Sequence, residues 1–495
     1  MTPRVTRKRF LQAAAGGAAW VALGGTLGCE TVPRARATAA SAPAGQVWSF
    51  RSRPDLQPPV IEVITRRRGT APGYLFIAPK NGPEEAHPGQ DGCMILDNDG
   101  QPVWLRLLQN EDMDVMDFKA QTYKGESVLT WWEGVHTGHG QGEYVILDSS
   151  YQEITRVRAG NGYEGDHHEF LITPEDTALI TIYNKVPRGD LTSEADPVDG
   201  YVLDGIVQEL DIETGEVLFE WHSLDHIGLE ESYYEPFDYF HINSIEVYDE
   251  DHLMISARRT CAVYKVDRKT GEVVWRLGGK KSDFEMDKGV RTILQHDARR
   301  NPEGTITIFD NRNVIRAEQS RAIAVEVDED KMSASLVREY THPDKLLSDT
   351  QGNAQVLSNG NVLVGWGSAP YFSEFDHHGK LLFNAAFPTE GETYRAFRFP
   401  WRGQPDDEPA IAAASGTDDR VKIYASWNGA TEVTTWQVLA GGAPDRLEPL
   451  ASAPHQGFET VIAVRTTEPY VGLQAMNASG KVLGTSSLLK LEDRA

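Results

Sequence analysis

The chain has 495 residues, 40% of them hydrophobic, and a formal net charge of −25 at neutral pH. That hydrophobic share supports packed cores and excludes a chain that is disordered throughout. The acidic balance argues against nucleic acid as a partner, because phosphate backbones are met by Lys and Arg surfaces.

Residues 1–29 read as an export signal. Arg4, Arg7, Lys8 and Arg9 precede an apolar, small-residue run from Phe10 to Leu27. The run Thr6-Arg7-Lys8-Arg9-Phe10-Leu11 is similar to a twin-arginine signal, with Lys8 where the second Arg is usual. Thr26-Leu27-Gly28-Cys29 is similar to a bacterial lipobox, with Thr26 where an aliphatic residue is usual. The run is too rich in Ala and Gly to read as the ~20-residue apolar span of a membrane helix. The expectation is an exported chain, periplasmic or at the cell surface, either free or held by a membrane tether through a lipidated Cys29. Residues 30–59, rich in Ala, Pro and Thr up to Ala44, read as that tether. The other two cysteines, Cys93 and Cys261, lack any metal-type spacing and read as buried free thiols.

From residue 60 onward one pattern recurs six times. A short apolar run ends in Asp, a polar turn follows, and an apolar run returns. The Asp residues are Asp97, Asp148, Asp211, Asp267, Asp328 and Asp376, at the roughly 50–60-residue spacing of propeller blades. Upstream of each lies a second pair of apolar runs, beginning near Gly73, Asp117, His167, His241, Gln295 and Gly352. Each unit therefore predicts four strands, and six units predict an all-β, six-bladed β-propeller over 60–400. A proline-rich linker follows from Pro400 to Pro409. Alternating runs from Val421, Thr434, Glu459, Tyr470 and Leu483 then predict an immunoglobulin- or fibronectin-like β-sandwich over 410–495.

In such a propeller the innermost strands line an axis, and their starts meet at its mouth. Three successive units place histidine there: His168, His241 and His296. The next unit places Asn353 there, with Gln355 close by. Asn243 follows His241, Arg258 and Arg259 end the strand after it, and Arg312 ends the corresponding strand one unit later. Imidazoles serve as nucleophiles or as acid/base groups, and a guanidinium fork suits an oxyanion. Three histidines also suit a metal, but no carboxylate stands in register with them, so no metal or other cofactor is assigned. His136-Thr137-Gly138-His139 reads as a plain loop, Asp97-Asn98-Asp99-Gly100 as a hairpin turn, and His377-His378 as a solvated turn. Trp131, Trp132, Trp366, Tyr371 and Phe372 read first as core.

Several segments together resemble the bacterial arylsulfotransferase family. They are Phe240-His241-Ile242-Asn243-Ser244, Thr270 to Gly279, Gln295-His296-Asp297 with Phe309-Asp310-Asn311, and Asn359 to Gly367. The resemblance covers roughly residues 60–400. It implies a six-bladed propeller and transfer of sulfate between phenolic compounds without PAPS, by ping-pong kinetics through a sulfated histidine. Small phenolic or aryl sulfate compounds are the implied partners. His241, His296 and Arg312 match axial residues of the family, with His168 as an extra catalytic candidate. Asn243, Asn353, Gln355 and Arg258 stand as substrate-binding candidates. The family's nucleophilic histidine aligns with the strand after the Gln-His motif, which here reads Gln351-Gly352-Asn353-Ala354-Gln355 and has none. Either another axial histidine attacks, or the chemistry differs, or the chain is a non-catalytic propeller that binds an anionic ligand or a partner protein. An attacking imidazole must be neutral, so activity is expected to fall as pH drops through its pKa.

Overall fold

The computed structural model describes residues 47–82, 86–108, 112–188, 200–312, 319–388 and 391–491. Cys29 and the whole leader lie outside them. The described chain is all-β. Its one α-helical turn is Ser223–His226, and among the described residues no helix is long and apolar enough to cross a membrane.

The six aspartates explain why the pattern recurs. Each carboxylate accepts backbone N–H bonds from its own turn: Asp97 from Asp99 and Gln101, Asp148 from Ser150 and Gln152, Asp267 from Lys269 and Thr270. Asp211, Asp328 and Asp376 do the same with Thr214, Lys331, and His378 with Lys380. The side chain satisfies the donors that the turn leaves without a ladder partner, and so sets where each hairpin reverses.

Six sheets follow, each built on one first strand: β1 (Asp114–Tyr123), β2 (Asp166–Ile172), β3 (Ile242–Asp249), β4 (His296–Arg300), β5 (Asn353–Val356) and β6 (Phe397–Phe399). In the sheets of β1 to β5, the next three strands in sequence add one after another, antiparallel. Three sheets depart from the predicted plan. Glu285–Met286 joins the β4 sheet as a fifth strand, parallel to Ser333–Tyr340. Glu62–Arg66 joins the β5 sheet as a fifth strand beside Leu381–Ala386. The sheet of Tyr74–Ile77, Gly92–Leu96 and Pro102–Leu107 takes its first strand, β6, from residues more than 300 positions later. The run from Gly73 is thus the second strand of its sheet, and Phe397–Phe399 is the first. None of the sheets closes on itself.

The first strands are tied together by side chains that mimic a backbone ladder. Gln121 of β1 donates to Phe170 O and accepts from Ile172 N on β2. Glu169 accepts from Ile245 N, Ser244 from Ala298 N, and Asp297 from Ala354 N. Asn353 and Gln355 of β5 bind Ala396 and Arg398 beside and within β6. Arg395 returns to Asp117 of β1 at 2.8 Å.

Arg395 is fully buried within an ionic cluster. Its guanidinium faces Asp117, Glu169 and Asp297, while Lys119 bridges Asp117 and Glu169 and Arg299 bridges Glu169, Glu246 and Asp297. Apolar residues between neighbouring sheets form the surrounding cores, with Trp131, Trp132, Trp366 and Phe372 fully enclosed, while Tyr371 is only partly buried. Cys93 and Cys261 are buried free thiols.

Strands from Ala410 to Lys490 form two further sheets around their own apolar cluster, which includes Ile423, Trp436, Val438 and Leu473. They dock on the strand Pro102–Leu107, where Asn428 exchanges two bonds of 2.8 Å with the backbone of Leu105. Tyr151 donates to Gly429 O at 2.7 Å and stacks on Trp104.

Candidate functional site

Irregular backbone, more than regular strand, shapes the site. The pairing register slips between Asp166 and Phe170 in β2, between Ile242 and Ser244 in β3, and between His296 and Arg299 in β4. A slip of this kind breaks the strict in-and-out alternation and re-aims the local side chains. His167 and His168, neighbours in the chain, consequently lie with ring centroids 4.0 Å apart. His241 holds a left-handed backbone with φ of 54°, a conformation uncommon outside glycine and often found at functional sites.

The structure brings His168 and His241 together, with centroids 5.2 Å apart. Tyr183 flanks both, at 5.4 and 5.7 Å. His139 completes the group, 4.1 Å from the Tyr183 ring and 5.5 Å from His241. The segment read as a plain loop therefore delivers a ring into the cluster. His136, at the end of the strand before that turn, lies 4.7 Å from His167. The turn approaches closely because Gly140 has no side chain: a Cβ there would stand 2.8 Å from His167 N. Gly140 N instead reaches Asp166 Oδ2 at 2.5 Å.

Two carboxylates, which the sequence reading did not find, organise the imidazoles. Asp238 Oδ2 lies 2.5 Å from His241 Nδ1, positioned by the 3₁₀ turn Pro236–Asp238 just before β3. Asp166 accepts from the His168 ring and from His168 N, and lies 3.3 Å from His167 Nδ1. Asp238 lies three residues upstream of His241, and only the turn brings it back.

Burial pushes both carboxyls up, but the facing imidazoles outweigh it and hold Asp166 and Asp238 well below the ordinary range. Burial, reinforced by His168 and Arg258, depresses His241 to about 3. His167 falls to about 3 and His136 to about 2, again mainly through burial. With Asp238 ionised and accepting, the proton of neutral His241 belongs on Nδ1, and the lone pair is on Nε2. The neutral form persists far below the ordinary histidine range, so the fall in activity expected near an unperturbed pKa moves down with it.

His296 is held differently. Its Nδ1 meets Asn311 Oδ1 at 2.7 Å, and Gln351 N donates to its Nε2 at 3.3 Å. Asn311 is itself fixed by Ser348 O and Gln351 O. Both ring nitrogens are occupied, and burial together with Arg258 keeps this imidazole well below its usual pKa.

The arginines divide. Arg258 is 8% exposed, donates to Asp349 O at 2.8 Å, and leaves a buried Nε with no hydrogen-bond partner. Burial and the neighbouring Arg259 lower its pKa, so a cation stands beside His241 and His296 without a full set of acceptors. Arg312 instead pairs with Asp310 at 3.2 Å, and Asp310 also receives Arg321. The structure thus places Arg258 within reach of the histidine cluster and commits the Arg312 side chain to Asp310.

Among the proposed substrate-binding amides, Asn243 donates to Gln295 O at 2.7 Å and keeps a buried, unpartnered Oδ1. Asn353 and Gln355 spend their whole amides on the backbone around β6. Asn353→Ala is therefore expected to cost about 1–3 kcal/mol of stability, the penalty for stranding the Ala396 N–H and C=O. Urea unfolding of that variant, set beside its KM, checks this: a KM change with unaltered stability contradicts a purely structural amide.

A family profile described as arylsulfotransferase (ASST) matches residues 119–388. No functionally curated protein matches the chain. Solved structures similar to it include a protein of unknown function from Bacteroides caccae, 12% identical, covering 66% of this chain and 98% of that one at a TM-score of 0.41. Others are an α-L-arabinanase from Penicillium chrysogenum (11%, 63% and 88%, 0.33) and a streptogramin B lyase (9%, 79% and 96%, 0.30). At those identities and scores they carry no functional information. The profile match spans more than half of the sequence and takes in β2 to β5, with His168, His241, Arg258 and His296, and this protein belongs to the arylsulfotransferase (ASST) family.

Proposed function

We propose that the protein transfers sulfate between phenolic compounds, without PAPS, through a histidine at the centre of a six-bladed propeller. The cyclic order of the first-strand ties, from β1 through β6 and back by Arg395 to Asp117, supports the propeller. The separate apolar cluster after residue 410 supports a sandwich of its own. The leader of residues 1–29 supports export, with Cys29 as the attachment point if the chain is lipid-tethered.

One observation carries the chemistry. Two His–Asp pairs, His241–Asp238 and His168–Asp166, face each other beside an incompletely paired guanidinium, Arg258. In each pair the carboxylate orients the ring through Nδ1, the arrangement that prepares an imidazole for attack or proton transfer through Nε2. The Nε2 of His241 attacks the sulfur of an aryl sulfate. The N–S bond forms as the S–O bond to the ring breaks, and the electron pair leaves with the phenolate. A second phenol then loses its proton to His168 and attacks the same sulfur, and the N–S pair returns to His241. Arg258 stabilises charge on the sulfuryl oxygens. His296, with both nitrogens bonded, positions the Gln351 backbone.

The test is incubation with 4-nitrophenyl sulfate and a phenol acceptor, with intact mass measured before acceptor is added. The expected result is nitrophenolate release and a covalent sulfuryl adduct. Neither product, across a panel of aryl sulfates, would favour a propeller that binds an anion without turning it over. Arg258→Met is expected to lower kcat/KM by about 10²–10³, the usual effect of removing one preorganised donor. An Arg312→Met variant of equal effect would show that the wrong guanidinium has been chosen.

A further inference from the structure

We infer that His139, Asp238 and His241 form a binding site for a divalent transition-metal ion of the zinc class. One ligand atom from each lies within 4.8 Å of the others. The three come from two separate segments, the turn before Gly140 and the loop before β3. They are also under-bonded. His139 Nε2 and Asp238 Oδ1 are buried and have no hydrogen-bond partner. His139 Nε2 stands 3.7 Å from Asp238 Oδ2, too far for a hydrogen bond. Two donors about 2.1 Å from a tetrahedral ion stand roughly 3.4 Å apart, close to that separation.

The other histidine–carboxylate group also holds a buried, unpartnered atom, His167 Nδ1, but its carboxylate is already committed. Asp166 already takes the His168 ring, the His168 N–H and the Gly140 N–H, and all three residues of that group are enclosed. At the first group the ion needs only a small swing of Asp238, which exchanges its bond to His241 Nδ1 for a bond to the metal. Two imidazoles and one carboxylate select zinc, cobalt, nickel or copper over magnesium or calcium, which prefer oxygen ligands throughout. Three protein ligands leave one position open. Arg258 and Arg259 stand beside it, with Arg259 Nε 3.7 Å from Asp238. These cations oppose a bare metal ion and favour one that carries an anion at the open position.

A second consequence rests on the sulfuryl-transfer reading: an ion that takes Nδ1 of His241 leaves the proton of the neutral ring on Nε2, where the attacking lone pair was, so the ion inhibits transfer. The binding itself does not rest on that reading, and the experiment separates the two. Full-length, chelator-stripped protein without an affinity tag is titrated with Zn²⁺ by calorimetry, and with Co²⁺ while its absorption is followed. One ion per chain is expected, with at least ten-fold weaker binding in His139→Ala and Asp238→Asn. The double variant His377→Ala/His378→Ala removes the exposed ring pair that could compete, at 3.8 Å, and is expected to bind as the wild type does. Wild-type-like binding by His139→Ala and Asp238→Asn overturns the site. Should those variants fail to fold, the Co²⁺ spectrum of the wild type decides, since absence of the histidine-ligated band also overturns it. Zinc is then added before 4-nitrophenyl sulfate. Loss of the adduct, restored by chelator, supports His241 as a shared ligand; stoichiometric binding with an undiminished adduct overturns that assignment. If no aryl sulfate ever gives an adduct, the titrations still stand.

Discussion

Replacing His241 with alanine is expected to abolish the sulfuryl adduct and to reduce transfer by roughly 10⁴–10⁶, the scale on which enzymes lose rate when the attacking group is removed. The expectation follows from what holds each ring. His241 is pinned through Nδ1 by Asp238, and no described residue takes its Nε2. His296 has both nitrogens bonded, to Asn311 and to the Gln351 backbone. His296→Ala should therefore impair turnover yet still form an adduct, because it displaces the Gln351 segment without removing the attacking atom. His168→Ala should form the adduct but discharge it slowly, since the acceptor phenol loses its base. Intact mass with and without acceptor separates the three. An adduct that persists in His241→Ala and vanishes in His168→Ala transfers the role of nucleophile to His168, whose pairing with Asp166 has the same form.

The second large effect concerns stability. Arg395 is fully buried against Asp117, Glu169 and Asp297. These carboxylates come from three different sheets, and Arg395 Nη2 also donates to Asn243 O at 2.8 Å. Removing one partner of a buried ion pair costs about 3–5 kcal/mol, because the remaining charge keeps its desolvation penalty and loses its compensation. Arg395→Met is expected to fall at the upper end of that range. Lys119 and Arg299 remain, but both are already committed to the same carboxylates. Urea unfolding should show a lower midpoint at an unchanged slope. A loss below about 1 kcal/mol would mean that these charges rearrange, and that the first strands draw their stability from the apolar cores between sheets.

The hairpin repeat and the strand content were legible because they are local. An Asp that accepts N–H groups two to four residues away leaves its mark within a few positions, and all six turn aspartates act in this way. The apolar runs on either side form strands for the same local reason, that alternate residues share one face. His168, His241 and His296 were found because each sits at the start of a first strand, a position that the repeat itself defines.

What decided the site was not the repeat. Asp238 and Asp166 lie only three and two residues from His241 and His168, but a 3₁₀ turn and a register slip aim them at the rings. His139 arrives from another sheet by way of a turn that only glycine lets approach. Asn353 and Gln355 looked like binding amides by position, yet the backbone in and beside β6 takes one donated and one accepted bond from each. Arg258 and Arg312 end equivalent strands, but Asp310 stands next to one and a backbone carbonyl next to the other, so their charges are satisfied to different degrees. In the same way β6 joins the sheet of Tyr74–Ile77 from more than 300 residues away. Local hydrogen bonding and side-chain alternation were written in the order of the residues. Charge compensation, burial and the return of distant strands depend on which residues become neighbours, and only the packed chain sets that.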